Sequence, residues 1–185
     1  MAPNQRYPHN ARSFFTERFK KDIGGGISLW HGYFQSVRPA IGRIIINVDT
    51  ATGVMYKPGR LMDVALEFLG QSGRPNALAP RHGLPLRKLR ELQHFLSGIK
   101  ITTPHSPHHR GRTRLVKQLT RVGARDLTFD VGEGETMTVA DFFRTRYNRT
   151  LVFPDVICVE VRVRSPCSGY VDSAHFSFQL GRIFP

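Results

Sequence analysis

Arginine and histidine side chains crowd one stretch of this sequence. Residues 81–125 contain eleven Lys and Arg and five His against a single acidic residue, Glu91. Within this stretch Arg110, Arg112 and Arg114 stand at alternate positions, so a strand would place their guanidinium groups on one face. Clustered cations favour polyanions, because they release condensed counterions together when they contact phosphates. The stretch therefore predicts nucleic acid as the leading partner class.

Two other interpretations of the basic stretch stay open. A solvated basic face keeps a protein soluble, and alternating arginines on an exposed strand also prevent aggregation. An anionic membrane surface would require a basic amphipathic helix, and the sequence holds no strongly amphipathic one. The chain as a whole carries 27 Lys and Arg against 14 Asp and Glu, a formal net charge of +13, which suits any polyanion.

The other reactive side chains do not predict a metal site or a catalytic site. His105, His108 and His109 resemble a metal cluster in composition, but adjacent histidines do not easily share one ion and no cysteine lies near them. Asp126 and Asp130 could form an acidic pair, yet no nucleophile, base and orienting group converge in the sequence. We therefore expect no metal, no cofactor and no enzymatic activity.

Length, composition and cysteine content limit the class of protein. A chain of 185 residues with 40% hydrophobic residues can bury a core. No apolar run approaches the ~18 residues that span a bilayer, and the basic N-terminus has no signal-peptide block, so we expect no membrane partner. The two cysteines, Cys158 and Cys167, predict free thiols, one of them buried in a strand. Such cysteine usage favours a reducing compartment, the cytoplasm first and the nucleus second.

The sequence predicts mostly strands in the first part of the chain. Segments that mix aromatic and β-branched residues predict three strands, at 27–37, 41–48 and 54–56. Pro39 should break the chain between the first two strands, and segment 49–53 should form a turn before the third. Three residues nearer the N-terminus stand at helical offsets: Phe14, Phe15 and Phe19.

The rest of the chain combines helices with many short strands. Leucine spacing predicts helices over 60–69 and 86–96, joined by a Gly- and Pro-rich linker, 71–85. Beyond Gly98 the period becomes that of strands, with one inserted helix over 139–146. The strand-like segments are 99–103, 113–119, 127–131, 136–138, 151–153, 156–164 and 175–180. Such a pattern predicts a small barrel or rolled sheet.

Two groups of residues resemble the Argonaute family. Trp30-x-Gly-Tyr-Phe-Gln-Ser-Val-Arg-Pro39, followed by Ile46-Asn-Val-Asp49 and Tyr56-Lys57, resembles the first linker of Argonaute proteins. The second half resembles the PAZ domain. The residues that carry this second resemblance are Gly98-Ile-Lys-Ile101, Arg110-Gly-Arg-Thr-Arg114, Thr128-Phe129, Thr138-Val-Ala-Asp-Phe-Phe143 and Leu151-Val-Phe-Pro-Asp155.

The resemblance implies an α+β, mainly β fold. It implies a PAZ-type OB-like small barrel with an inserted β-hairpin and helix, preceded by a strand-and-helix linker unit. The corresponding domains are an N-terminal lead-in at 1–26, a first linker unit at 27–85 and a PAZ-like domain at 86–185. The Argonaute MID and PIWI domains, of which PIWI performs cleavage, are expected to be missing from the sequence.

The resemblance also implies a function and a site. The chain is expected to bind single-stranded small RNA, recognising its 3′ end, as a non-catalytic module of RNA-mediated gene silencing. Four residues are assigned to RNA phosphates: His105, Arg110, Arg112 and Arg114. Four others are assigned to stacking or hydrogen bonding at the 3′ end: Phe129, Phe142, Tyr147 and Tyr170.

Several of these positions depart from the family pattern. Arg114 and Phe142 each replace a tyrosine, so Phe142 lacks the hydroxyl that would contact a phosphate. Tyr147 replaces a histidine and could supply a hydroxyl from one turn further on. Segment 171–174 stands where the family has Leu-Pro-x-Glu. The alternative hypothesis is therefore a truncated Argonaute-like structural or interaction fragment with a degenerate RNA pocket.

Overall fold

The computed structural model describes residues 6–8, 12–102, 113–132, 135–164, 171–177 and 182–183. The chain divides into two compact units, residues 1–57 and residues 58–185. The domain boundaries inferred above, after residues 26 and 85, rest on family resemblance and stay predictions. No helix in the described ranges is long and apolar enough to cross a bilayer.

The first unit is a four-stranded antiparallel sheet in the order β1-β2-β3-β4. Its strands are β1 (Arg6–Pro8), β2 (Ser13–Gly24), β3 (Ile27–Ala40) and β4 (Arg43–Tyr56). The β3–β4 pairing runs from Ile27 opposite Tyr56 to Ala40 opposite Arg43 without a register shift. The predicted turn at 49–53 is therefore wrong, and the chain reverses instead at 41–42, where Gly42 has a φ of 70°.

Pro39 does not break the sheet as expected, because it lies within β3 opposite Ile44. The last β3 residue paired with β2 is Phe34, so beyond it β3 has only β4 as a partner among the described strands. A proline is tolerated in a strand that is paired on one edge, where the N–H that it lacks would point to the unpaired edge. The strand continues through the proline to Ala40.

The helical offsets near the N-terminus were also misleading, because Phe14, Phe15 and Phe19 all lie in β2. Phe15 is 8% exposed, and its ring lies against two glycines, Gly32 of β3 and Gly53 of β4. A Cβ on Gly32 would stand 2.8 Å from the Phe15 ring, and one on Gly53 would stand 2.9 Å from it. Gly53, expected in a turn, is therefore a strand glycine that makes room for an aromatic ring.

The second unit contains a six-stranded sheet in the order β11-β10-β7-β6-β12-β5. Its strands are β5 (Gly59–Arg60), β6 (Lys100–Thr102), β7 (Thr113–Gly123), β10 (Ile157–Arg164), β11 (Val171–Ser177) and β12 (Arg182–Ile183). Helices α1 (Leu61–Phe68) and α2 (Leu86–Leu96) match the two predicted helices. Within the described residues the end strands β11 and β5 do not pair with each other, so the sheet is open.

The segment between the two helices is partly buried, which corrects the prediction of a linker at 71–85. It forms two 3-10 turns, Pro75–Leu78 and Pro80–His82, and both Leu78 and Ala79 are 0% exposed. Arg81 reinforces it by donating from Nε and Nη2 to the carboxylate of Asp126, at 3.1 and 2.6 Å. Buried apolar residues and a bidentate ion pair therefore hold this segment to the second unit.

The remaining elements form an insert between β7 and β10: strands β8 (Thr128–Gly132) and β9 (Glu135–Thr138), followed by helix α3 (Val139–Tyr147). The two strands pair as a separate antiparallel hairpin, with Phe129 opposite Met137. Segment 151–153, predicted as a strand, has no regular secondary structure. The expected fold is confirmed: α+β, mainly β, with a hairpin and helix inserted into a small OB-like sheet.

Candidate nucleic-acid interface

Backbone hydrogen bonds attach the insert to the end of β7. The N–H of Val139 donates to the carbonyl of Leu127, and the N–H of Ala140 donates to the carbonyl of Ala124, each at 2.9 Å. At the end of β7, Gly123 approaches the backbone of Asp155 so closely that an added Cβ would stand 2.6 Å from its carbonyl carbon. Main-chain contacts therefore hold the insert to the end of β7, and one of them requires glycine at position 123.

Helix α3 begins and ends at residues suited to those positions. Thr138 is its N-cap, because its Oγ1 accepts from the N–H of Asp141 at 3.1 Å and donates to the Asp141 carboxylate at 2.7 Å. Asp141 lies in the first turn, where a negative charge interacts favourably with the helix dipole. The helix ends at Asn148, whose φ of 47° is the left-handed conformation typical of a C-cap. The short helix thus has a defined length and orientation.

Three of the predicted site residues come together on this insert. The ring of Phe142 lies 5.2 Å from that of Phe129 and 5.9 Å from that of Tyr147, both in edge-to-face geometry. Phe143 supports them, since it is 1% exposed and its ring lies 5.4 Å from Tyr147. Phe129, Phe142 and Tyr147, which we call the ring cluster, are each half-buried. A half-buried ring leaves part of its surface open to solvent, and a base can stack on an exposed ring face.

Two cations that were not predicted as site residues, Arg146 and Arg149, follow the ring-cluster residue Phe142 along the chain. Arg146 follows Phe142 by one helical turn, so the two side chains leave α3 on the same face. Arg149 follows the C-cap, and its N–H donates to the carbonyl of Phe143 at 3.2 Å. Both arginines are exposed, whereas Arg144 is ion-paired with Asp141 at 2.9 Å. The position of Arg146 could have been found from its i, i+4 spacing to Phe142, whereas Arg149 lies beyond the end of the helix.

Of the four predicted phosphate-binding residues, the structure describes only Arg114. Arg114 is half-buried on β7, opposite Ile101 of β6, and so belongs to the six-stranded sheet rather than to the insert. His105, Arg110, Arg112 and Tyr170 lie outside the described residues, as do His108 and His109. The described ranges hold no group of three or more His, Cys, Asp or Glu placed to bind a metal ion. The assignments of these residues stay predictions.

The polar and nucleophilic groups beneath the sheet surface have structural partners. Glu160 on β10 is 4% exposed and accepts from Lys117 Nζ and Gln118 Nε2 of β7. Cys158 is 0% exposed, as expected for a buried strand thiol, and burial raises its pKa to about 12 although the Thr120 hydroxyl lowers it in part. A thiol with so high a pKa is not a nucleophile near neutral pH.

Comparison with known families assigns both parts of the chain. The family model of the Argonaute linker 1 domain matches residues 11–57, and that of the PAZ domain matches residues 78–179. The chain therefore belongs to the PAZ-domain family, with an Argonaute linker 1 domain ahead of the PAZ domain. The resemblance inferred from sequence motifs is confirmed.

Relatives and solved structures agree with this assignment. The rice proteins argonaute 1D and argonaute MEL1 are 26% and 29% identical over 162 residues, which is 86% of this chain but 15% of each relative. A Drosophila Ago-PAZ domain, solved in complex with 3′-end 2′-O-methylated RNA, is 25% identical with a TM-score of 0.53, over 70% of this chain and all of that domain. The Kluyveromyces polysporus Argonaute, solved with a guide RNA, shares the fold at 19% identity and a TM-score of 0.56, over 98% of this chain and 21% of that protein.

Proposed function

We propose that this chain binds single-stranded small RNA and recognises its 3′ end, as a non-catalytic module in RNA-mediated gene silencing. The observation that carries the proposal is the ring cluster, formed by Phe129, Phe142 and Tyr147 on an insert anchored by main-chain hydrogen bonds. The similarity to a PAZ domain solved with 3′-end RNA supports it. The fold offers both components that a single-stranded terminus requires: ring faces for a base and nearby cations for phosphates.

The chemistry of the ring cluster suits a terminal nucleotide. A base stacked on aromatic rings contributes about 1–3 kcal/mol, independently of its identity. The hydroxyl of Tyr147 can donate to a phosphate or accept from a ribose hydroxyl, which Phe142 cannot do. Arg146, one helical turn after Phe142, and Arg149, after the C-cap, are exposed and supply positive charge to the last phosphates. An internal nucleotide carries a further nucleotide on its 3′ side, whereas the terminal nucleotide does not. A site that encloses the terminal ribose and base therefore selects the strand end.

The proposal is tested by fluorescence anisotropy with a 5′-labelled single-stranded RNA whose 3′ end is either free or blocked by a bulky group. We expect the free end to bind at least about tenfold more tightly, a difference of about 1.4 kcal/mol. Phe142→Ala should weaken binding of the free end by about tenfold, because one stacking partner is lost. Phe142→Tyr should strengthen it, because a hydroxyl donor is restored next to the phosphates.

Phe19→Ala is the matched control, since Phe19 is 63% exposed on β2 and lies outside the insert. It should leave the affinity unchanged. Equal affinity for free and blocked ends would contradict the proposal and favour the alternative hypothesis of an Argonaute-like fragment with a degenerate pocket. Circular dichroism of each variant distinguishes a lost contact from a lost fold.

A further inference from the structure

A concave site lies on the PAZ-containing unit, between α2 and β7. It is a cavity of about 490 Å³, within the size range of ligand-binding pockets. Helix α2 contributes Leu86, Leu89 and Arg90, and β7 contributes Arg121 and Val122. The lining includes no member of the ring cluster, so the cavity is separate from the site proposed for the RNA end.

The cavity brings together two arginines that form no ion pair with any residue that the structure describes, Arg90 and Arg121. Neighbouring arginines, in contrast, have acidic partners: Arg81 with Asp126, Arg87 with Glu91 and Arg125 with Asp155. The acidic residue in the lining, Glu160, already accepts from Lys117 and Gln118, so it does not neutralise the two guanidinium groups. The cavity therefore has a net positive charge that the described part of the fold does not use.

Two apolar side chains that line the same cavity are exposed to solvent. Leu89, Leu92 and Leu96 of this helix are buried, but Leu86 is 62% exposed and faces the cavity. Val122 on β7 is 40% exposed and also lines it. An exposed apolar centre with arginines at its edge is the usual composition of a protein contact. The lining contains no aromatic ring on which a nucleobase could stack, which favours a peptide over RNA.

We propose that the cavity between α2 and β7 is a docking site for an acidic peptide segment of a partner protein. An aliphatic side chain of the peptide enters between Leu86, Leu89 and Val122. Carboxylates on either side of it pair with Arg90 and Arg121, which can hold them through two parallel hydrogen bonds each. The chemistry of the partner follows from charge complementarity with a chain whose formal net charge is +13.

The experiment uses the whole chain and a fluorescein-labelled peptide in which two adjacent leucines are flanked by pairs of glutamates. We expect saturable binding with a Kd below about 100 μM. Arg90→Glu should weaken it by about tenfold, because it replaces the partner of a peptide carboxylate with a like charge. Lys88→Glu is the matched control: Lys88 is exposed on the same helix but does not line the cavity, so it should change the affinity by less than about twofold.

The outcomes separate a built site from general attraction between charges. Equal weakening by Arg90→Glu and Lys88→Glu would overturn the proposal, as would equal binding of a peptide whose leucines are replaced by serines. Absence of saturation at about 1 mM peptide would also overturn it. Displacement of the peptide by single-stranded RNA, abolished by Arg90→Glu, would assign the cavity to RNA instead. Retained affinity of Arg90→Glu for the RNA 3′ end would confirm that the two sites are independent.

Discussion

The two compact units differ in how they place their apolar side chains. Among the described residues, the buried hydrophobic side chains of unit 1–57 are Phe15 and Trp30, and all the others belong to unit 58–185. The distal part of the β3–β4 ribbon instead exposes a row of large apolar residues: Val37, Ile41, Ile44, Ile45, Ile46 and Val48. The second unit is stabilised by side-chain burial, whereas the ribbon is held together by backbone pairing.

This difference bears on where a binding site can be built precisely. An intramolecular hydrogen bond contributes only about 1 kcal/mol net, because the unfolded backbone bonds to water instead. A two-stranded ribbon without a buried face is therefore marginal, while a packed core holds side chains in single rotamers. The ring cluster lies in the unit that has the core, next to the buried Phe143. We expect RNA binding to depend on the packing of that unit and to be insensitive to the ribbon.

The largest expected effect on stability comes from replacing one glycine in each unit by alanine. Gly123→Ala would place a Cβ against the backbone of Asp155, and Gly32→Ala would place one against the carbonyl of Phe14. Each should destabilise its own unit by about 3 kcal/mol, because neither contact can relax without moving a strand. Hydrogen exchange measured by mass spectrometry should show faster exchange in 58–185 for the first variant and in β2 and β3 for the second.

RNA affinity provides the readout for these two variants. RNA affinity should fall strongly in Gly123→Ala and stay within about twofold of the parent in Gly32→Ala, since Gly32 belongs to the compact unit that does not contain the ring cluster. Gly70→Ala is a useful control: its φ of 67° carries strain, but its Cβ would meet open space, so it should lower stability by only about 1 kcal/mol. Loss of RNA binding in Gly32→Ala would contradict the division of roles.

The next effect concerns the pH dependence of the second unit's core. Burial raises the pKa of the Cys158 thiol from its ordinary value of 9.0 to about 12. Between those values the unfolded chain loses this proton and the folded chain keeps it, so the thiol's contribution is constant below pH 9 and stability falls as the pH rises. The slope should approach about 1.4 kcal/mol per pH unit.

The measurement is chemical unfolding between pH 8 and about pH 11 in a Cys167→Ser background, compared with the same background carrying Cys158→Ala. The difference between the two slopes isolates the thiol from tyrosines and lysines that titrate in the same range. Identical slopes in the two proteins would show that Cys158 ionises as readily in the folded chain as in the unfolded one.

A smaller effect is expected at the start of α3. Thr138→Ala removes the side chain that caps the N–H of Asp141, which should cost about 1 kcal/mol of local stability. Hydrogen exchange should increase in α3 and leave α2 unchanged. Thr145→Ala, an exposed position of the same helix, is the control and should alter neither. The RNA affinity of Thr138→Ala should decline slightly, because the ring cluster loses part of its support.

The smallest effect is expected on the ribbon. Ile44 and Ile46 are 72% and 67% exposed and follow each other on one face of β4. Replacing both by Ser removes apolar surface that is already in water. The free energy of unfolding, measured by thermal unfolding, should therefore change by no more than about 0.5 kcal/mol. Analytical ultracentrifugation should show equal or less self-association. A large loss of stability would show that this face is buried in solution.

The second unit was the more predictable from sequence because its signals are local. The 3.6-residue spacing of Leu89, Leu92 and Leu96 gave α2 with its observed bounds, and Thr138 with Asp141 marks the start of α3. In the first unit, Gly53 and Pro39 looked like turn residues. Their observed roles depend on Phe15, which is distant in sequence, and on where β2 stops pairing with β3. No local pattern contains that information.

The candidate site, like the fold, was predictable from sequence only in part. Motif positions gave Phe129, Phe142 and Tyr147, and the structure brings these three rings together. Charge clustering does not find Arg146 and Arg149, because both lie outside the dense basic stretch at 81–125. The cavity between α2 and β7 could not be predicted from the sequence. Its lining comes from three elements, and their packing against each other is not encoded in a local sequence pattern.

The central claim, that the ring cluster holds the terminal nucleotide of an RNA, is tested most directly with 2-aminopurine. Its fluorescence is quenched when it stacks on an aromatic ring, so the probe is placed either at the 3′ end or in the middle of a short single-stranded RNA. We predict strong quenching of the 3′-terminal probe on binding, lost in Phe142→Ala, and little change for the internal probe. Equal quenching at the two positions, or terminal quenching that persists without the Phe142 ring, would contradict the account.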